Sequence, residues 1–205
     1  MRAAITILLA CLTAGCATRG YQRAEQTVQS LQATRAELDA ADQQVVRTIT
    51  TLGRIASLAG ENPAPEYAQL CKDVKAIEDQ AGLARQRADA YREDAEAYVD
   101  AWQKELDRMQ GGVFMRSAME RSMVMAQFRQ IEQLAAGTRQ AYGPLIIELQ
   151  GILRDLGRDL TPAGVAAVNP QIARSREIAM VLRERMAVLI QGLDVVSATL
   201  LSQRP

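Results

Sequence analysis

The chain has 205 residues, with 24 Lys plus Arg balanced by 24 Asp plus Glu, and it contains no histidine. The balanced charge lacks the basic excess that nucleic-acid binding requires. Without histidine, Ser-His-Asp and Cys-His catalysis and histidine-ligated zinc are excluded. The sequence also has no Gly-rich phosphate loop and no nucleophile elbow. We therefore expect no nucleic-acid partner, no cofactor and no enzymatic activity.

The first fifteen residues have the pattern of a secretion signal. Arg2 precedes the uncharged, mostly apolar run 3–14. As a helix this run of about twelve residues spans only about 18 Å, which is too short for a hydrocarbon core of about 30 Å. The run ends in LTAGC at residues 12–16, which resembles the lipobox of bacterial lipoprotein signals. That resemblance implies cleavage after Gly15 and lipidation of Cys16.

This pattern divides the chain into a signal peptide at 1–15 and a mature chain at 16–205. Two or three acyl chains anchor a protein stably. Ala17 follows the lipidated cysteine, and by resemblance to sorting rules in enterobacteria it implies an outer-membrane location facing the periplasm. Two alternatives stay open, namely cleavage before Cys11 and secretion without a lipid. Inner- and outer-membrane locations are not separated by the sequence.

Cysteine usage in the mature chain is simple. Cys11 is removed with the signal and Cys16 becomes a thioether, so Cys71 is left without an intrachain partner. We expect Cys71 to be a free, partly buried helix residue.

Apolar residues recur at alternating spacings of three and four along four segments, as in helices of a bundle or coiled coil. The aromatic content of 4% and the scarcity of β-branched runs also favour helix. The pattern predicts helices at about 22–59, 66–110, 113–160 and 171–201 in one all-α domain. We call each such line of residues along one helix face a stripe. The clearest stripe, on the fourth helix, consists of Ile172, Ser175, Ala179, Leu182, Met186, Leu189, Leu193, Val196 and Leu200.

Glycines and prolines set the predicted topology. The apolar spacing of the second predicted helix does not continue across Gly111-Gly112, which predicts a chain reversal there. In contrast, the spacing of Tyr142, Leu145 and Leu149 continues across Pro144, which predicts a kinked but continuous helix. Helices of about 45 to 70 Å in an up-down-up-down order form an elongated antiparallel four-helix bundle.

Some stripe positions carry small or polar residues. Ala81, Ala84 and Ala88 either let a neighbouring helix approach closely or leave a gap, and the spacing does not decide between them.

Polar residues occupy stripe positions at Arg35, Asp42 and Arg121. These residues form a buried contact that fixes the helix register, or they lie at a solvated rim.

Met115, Met119 and Met123 share one helical face. Thioethers at this spacing suit Cu(I). The simpler interpretation is that these flexible side chains fill irregular gaps in the core. We therefore predict no metal site and keep these three methionines as a copper hypothesis.

Short motifs extend from the second predicted helix to the loop after the third. They are WQKEL at 102–106, Arg116-Ser117, Gly143-Pro144-Leu145, and the small-residue loop 163–168. They resemble an uncharacterised bacterial family, domain of unknown function twenty-nine fifty-nine. The resemblance implies an exported, mostly helical lipoprotein. It implies no activity and no site residues.

These observations predict a lipid-anchored helical protein of the cell envelope. We expect it to act as a structural or adaptor module that binds a protein partner or a second copy of itself. The alternative is a binding module for Cu(I) or for an apolar ligand between the helices.

Overall fold

A computed structural model describes residues 2–58, 62–108 and 111–202, without the side chains of residues 2–23, 85, 88, 89 and 113. Within these ranges the chain is helical and has no strand, so the predicted all-α class is confirmed. The helices are α1 (Arg2–Ser57), α2 (Ala64–Leu106), α3 (Gly112–Arg158), α4 (Pro162–Ala167) and α5 (Asn169–Ser202).

The four long helices form an antiparallel bundle. α1 packs against α2 and α5, and α3 packs against the same two helices, so each long helix has two neighbours. Because short connections join helices that are adjacent in sequence, neighbouring helices run in opposite directions. With 43 residues in α2 and 47 in α3, the bundle is about 65 to 70 Å long at 1.5 Å per residue.

The predicted helix boundaries need three corrections. The first helix is not limited to residues after 22, because α1 already begins at Arg2. The second ends at Leu106 and not near 110. The loop between the third and fourth predicted helices contains α4, whose six residues are too few to show a periodicity. Thr161 caps this short helix, because its hydroxyl accepts a hydrogen bond from the Gly164 amide.

The predicted reversal at the glycine pair and the predicted continuity of the helix across Pro144 are confirmed. Gly111 lies in the reversal between α2 and α3 with φ 72° and ψ −150°, a conformation that is essentially restricted to glycine. α3 continues through Pro144 without a break.

The core follows the apolar stripes. The buried positions of α5 are the nine residues of the predicted fourth stripe. Leu145, Leu149 and Ile152 of α3 are also fully buried. Burial of a Leu or Ile side chain contributes about 1.5 to 3 kcal/mol, so these stripes supply most of the driving force for bundle formation.

Among the described helices, α5 is long and apolar enough to cross a membrane by length and composition alone. Its apolar residues include Leu182, Leu189 and Leu193, which lie in the bundle core. Only 28% of this apolar segment is buried in the bundle, and Met180, Val181 and Val195 are largely exposed.

Candidate functional site: a cavity between the long helices

A cavity of about 590 Å³ lies between the four long helices. Its walls come from residues 34–41 of α1, 80–92 of α2 and 131–142 of α3, with Leu189 and Leu193 of α5. Small-molecule sites in proteins have volumes of about 300 to 1,000 Å³, so this cavity has the size of a ligand site.

Small side chains on three helices create this space. Ala40 and Ala41 on α1, Ala84 on α2, and Ala135 and Ala136 on α3 all line the cavity. Of the three alanines on the predicted stripe of α2, Ala84 lines this gap and Ala81 is buried in the core, while the side chain of Ala88 lies outside the described residues.

The cavity opens to solvent beside α2. Leu83 lines it and is still 56% exposed. Two ion pairs stand at this opening. Arg87 binds Glu37 of α1 with an N–O distance of 2.8 Å, and Arg92 lies 3.5 Å from Glu132 of α3. The site thus combines an apolar interior with a charged rim.

Two polar atoms in the cavity wall are buried without a hydrogen-bond partner. They are the side-chain carbonyl oxygen Oε1 of Gln80 and the hydroxyl of Tyr91. Burial, and secondly the negative charge of Glu132, raises the pKa of Tyr91 well above its ordinary value. The Tyr91 hydroxyl is therefore protonated at neutral pH and able to donate. Its ring is fixed by an edge-on contact with Phe128 at a centroid distance of 6.0 Å.

A buried unpaired polar atom normally costs about 1 to 3 kcal/mol. Gln80 and Tyr91 are eleven positions apart on α2, which places them roughly 16 Å apart along the bundle axis.

The expected core location of the three methionines of α3 is wrong. Met115, Met119 and Met123 are 62%, 68% and 57% exposed, and we call them the methionine face. The cause is their position on the helix, because they lie on the face of α3 that points away from the buried residues Val124, Phe128 and Ile131.

Metal binding gains no further support. Among residues whose side chains are described, no group of three or more Cys, Asp or Glu could hold a metal ion. The copper hypothesis for the methionine face stays a prediction.

The polar stripe residues of α1 lie at a rim, as one of the two interpretations predicted. Arg35 and Asp42 do not bind each other. Arg35 binds Asp194 of α5 at 2.9 Å, and Asp42 binds Arg183 of α5 at 2.6 Å. Both pairs connect α1 to α5, so they contribute to the pairing of these two helices.

Arg121, the third polar stripe residue, is also partly buried. Its Nε donates to the Val99 carbonyl at 3.5 Å, which connects α3 to α2. This long contact gives no indication of a chemical role.

A buried polar network between α1 and α2 was not predicted. The carboxylate of Asp73 accepts hydrogen bonds from Thr51 at 2.8 Å and from Gln69 at 2.9 Å. The Gln44 amide also lies 3.4 Å from it. The signal that could have found Asp73 is its spacing, because it lies three residues after Leu70 and four before Ile77, on the buried face of α2.

The cysteine predictions have different outcomes. Cys71 is free and partly buried, as expected. It lies near Tyr67, where burial first and a hydrogen bond with Cys71 second raise the pKa of the Tyr67 hydroxyl. The side chains of Cys11 and Cys16 lie outside the described residues, so lipidation stays a prediction.

Two of the motifs that carried the family resemblance meet in space. The Trp102 indole Nε1 donates a 2.9 Å hydrogen bond to the Ser117 hydroxyl across the α2–α3 interface. This bond lies close to the reversal at Gly111 and stabilises the hairpin of α2 and α3.

No curated protein and no solved structure matches the chain. Residues 14–194 match the family described as "Protein of unknown function (DUF2959)". This match covers most of the chain and agrees with the resemblance seen in the motifs. The chain belongs to the DUF2959 family of proteins of unknown function.

Proposed function

We propose that the chain is a lipid-anchored protein of the bacterial cell envelope, attached to the outer membrane through Cys16 and facing the periplasm. In this proposal its helical bundle is an adaptor that binds a protein partner. The signal pattern at 1–15 supports the anchoring and the location. The proposal includes no catalytic role.

The methionine face carries the adaptor proposal. Singly exposed apolar residues are common on protein surfaces, whereas a continuous group indicates a contact site. Here Phe114 is 37% exposed beside the three exposed methionines of the same helix end. Methionine is flexible and polarisable, so methionine-rich surfaces adapt to the shape of a partner.

The helix register supports a partner close to the membrane. Glu37 of α1 lies opposite Arg87 of α2, and Trp102 of α2 lies opposite Ser117 of α3. Because α1 and α2 are antiparallel, Ser117 is level with about residue 22 of α1. At 1.5 Å per residue this level is roughly 9 Å along the axis from Cys16. The methionine face therefore begins near the proposed anchor.

Site-specific photo-cross-linking in living cells tests this proposal. A photoreactive residue is placed at Met119, with a matched control at Ile147, which is 70% exposed on the same helix but at the opposite end of the bundle. We expect a cross-linked partner from Met119 and not from Ile147, and we expect it to disappear in Cys16→Ser. Identical products from both positions, or recovery of this chain alone, would overturn the adaptor proposal.

The anchor has its own test. Intact-mass analysis of the membrane-extracted protein should show an N-terminal Cys16 carrying two or three acyl chains. An unmodified chain in the soluble fraction would contradict the anchored location.

A second candidate function is the binding of an apolar ligand. The observation that favours it is the cavity of about 590 Å³ with its mostly apolar lining. This candidate is compatible with the adaptor proposal, because the cavity and the methionine face use different residues.

A further inference from the structure

We infer that the cavity binds a single-chain amphiphile whose anionic head group, a carboxylate or a phosphate, lies at Arg139 and whose alkyl chain fills the apolar interior. This inference rests on the second candidate function and names its ligand class. It does not depend on the adaptor proposal.

Arg139 is a charged wall residue whose charge is not balanced within the described part of the protein. The other charged side chains that line the cavity form two ion pairs, Arg87 with Glu37 and Arg92 with Glu132. Among the side chains that the structure describes, Arg139 forms no ion pair and no hydrogen bond. Its positive charge is therefore available to a ligand of opposite charge.

Arg139 lies at the level of the opening. Arg92 of α2 is opposite Glu132 of α3. Because the two helices are antiparallel, Arg139 is level with about residue 85 of α2. This level is close to Leu83, which lines the cavity and is 56% exposed. Arg139 is itself partly buried. An arginine in such a position packs its aliphatic part against the wall and keeps its guanidinium in contact with water.

The interior beyond Arg139 is apolar. Leu38 of α1, Ile131 of α3 and Leu193 of α5 line this part of the cavity together with alanines. Ile131 precedes Arg139 by eight residues on the same helix, which corresponds to roughly 12 Å along the axis. A sugar or a nucleotide would bury many polar groups against this wall without partners, which is unfavourable. The wall therefore suits an alkyl chain.

The shape of the cavity suits an extended chain. Its lining covers residues 80–92 of α2 and 131–142 of α3, which correspond to roughly 17 to 18 Å of helix. This length is about twice the roughly 8 Å edge of a cube with the same volume of about 590 Å³. The cavity is therefore longer than it is wide. A compact metabolite would leave much of it empty.

The chemistry of Arg139 selects the head group. A guanidinium presents parallel N–H groups that match the oxygens of a carboxylate or a phosphate. At a solvated opening such an ion pair contributes modestly to binding, because water screens it. Burial of the alkyl chain supplies most of the affinity. The charge consequently determines which amphiphiles are preferred.

Displacement of a fluorescent probe tests the inference. The full chain carrying Cys16→Ser, freed of bound lipid, is titrated with the fluorescent fatty acid cis-parinaric acid. We expect saturable binding at one site. If no saturable binding were found, the inference and the second candidate function would both be overturned.

Three competitors with the same alkyl chain distinguish the head group from the chain. They are lauric acid, dodecyl phosphate and dodecanol. We expect at least one of the two anions to displace the probe at a concentration about three- to tenfold below that of dodecanol, as one partly screened charged hydrogen bond predicts. The tighter anion identifies the head group as a carboxylate or a phosphate. Equal displacement by dodecanol and both anions would overturn the anionic head group and leave the second candidate function standing.

Substitutions of Arg139 test its role directly. Arg139→Gln removes the charge, so the advantage of the anions should be lost while dodecanol binds as before. Arg139→Lys keeps the charge and should keep most of the advantage. Arg154→Gln is the matched control, since Arg154 is exposed on the same helix and does not line the cavity. An anion advantage that persists in Arg139→Gln would overturn the assignment of the head group to Arg139.

Filling the cavity tests the location of the alkyl chain. Ala84→Leu and Ala136→Leu add side chains from two walls, so we expect binding of the probe to be lost while the thermal midpoint is maintained or raised. Ala187→Leu is the matched control, since it adds the same side chain at an exposed position of α5. Undiminished binding in both filled variants would place the chain elsewhere and overturn the inference.

This inference and the adaptor proposal fail separately. The cross-links from Met119 should persist in Arg139→Gln and in Ala84→Leu, because the methionine face does not line the cavity.

Discussion

The Thr51 hydroxyl donates a 2.8 Å hydrogen bond to the Asp73 carboxylate and thereby connects α1 to α2 inside the bundle. Asp73 is only 6% exposed. A buried carboxylate is tolerated when hydrogen-bond donors surround it. Gln69 and Gln44 complete this set, so the network fixes the register of the α1–α2 pair.

Asp73→Ala should destabilise the protein by about 1 to 3 kcal/mol, because donors in the interior lose their acceptor. The free energy of unfolding is measured by urea denaturation, with the slope m compared between variants. Asp79→Ala is the matched control. Asp79 is an exposed acid of the same helix paired to Lys75 at 3.1 Å, and its loss should cost about 0.5 kcal/mol or less. Equal losses in the two variants would mean that the network does not contribute to stability.

Gly111→Ala should destabilise the bundle by about 1 to 3 kcal/mol, because φ 72° with ψ −150° is accessible almost only to glycine. Gly112→Ala is the control at the next position. It begins α3, and an added Cβ there would contact nothing within 4 Å. We expect it to be neutral or slightly stabilising, since alanine favours helix over glycine. Urea midpoints compare the two variants, and a tolerated alanine at 111 would contradict the geometry of the reversal.

The sequence predicted the helices well because periodicity reports directly which face is buried. The nine buried residues of α5 match the predicted stripe. The same reasoning placed the reversal at the glycine pair and kept α3 continuous at Pro144. It missed α4, because six residues do not complete two turns.

The candidate site was less predictable, because it depends on the relative placement of several helices. Alanines such as Ala84 and Ala135 are compatible with close helix contact and with a gap. The volume between them is set by where the other helices lie. The exposure of Met119, in contrast, could be predicted from spacing, because position 119 does not share the helix face of Val124, Phe128 and Ile131, which are buried.

Tyr142 should make stability sensitive to alkaline pH. Burial, and secondly the nearby charge of Asp42, raises the pKa of Tyr142 from 10.0 to about 12. The unfolded chain therefore releases this proton more readily than the folded protein. The stabilisation is complete below pH 10 and is lost as the pH rises from 10 toward 12.

Urea denaturation between pH 9 and pH 12, in steps of roughly half a unit across the interval between the two pKa values, tests this expectation. The loss of stability above pH 10 should be smaller in Tyr142→Phe than in the unmodified chain. The difference in phenolate absorbance between the folded unmodified chain and folded Tyr142→Phe gives a second readout. This difference should titrate near 12. A difference that titrates near 10 would show that Tyr142 ionises as it does in water.

Two adjacent residues of α5 should differ strongly in their contribution to stability. Leu182 is fully buried, so Leu182→Ala should cost about 2 to 5 kcal/mol from lost apolar burial and the resulting void. Arg183 forms a two-bond ion pair with Asp42, at 2.6 and 3.1 Å, but both side chains are partly exposed. Because water and salt screen such pairs, Arg183→Ala should cost about 1 kcal/mol or less.

Salt dependence distinguishes the ion pair of Arg183 from the apolar burial of Leu182 as sources of stability. In about 1 M NaCl the Debye length falls to about 3 Å, so the effect of Arg183→Ala should decrease while that of Leu182→Ala persists. Urea denaturation at low and high salt measures both. If the loss for Arg183→Ala were as large as that for Leu182→Ala and independent of salt, the rim pair and not the apolar stripe would determine how α5 is held on α1.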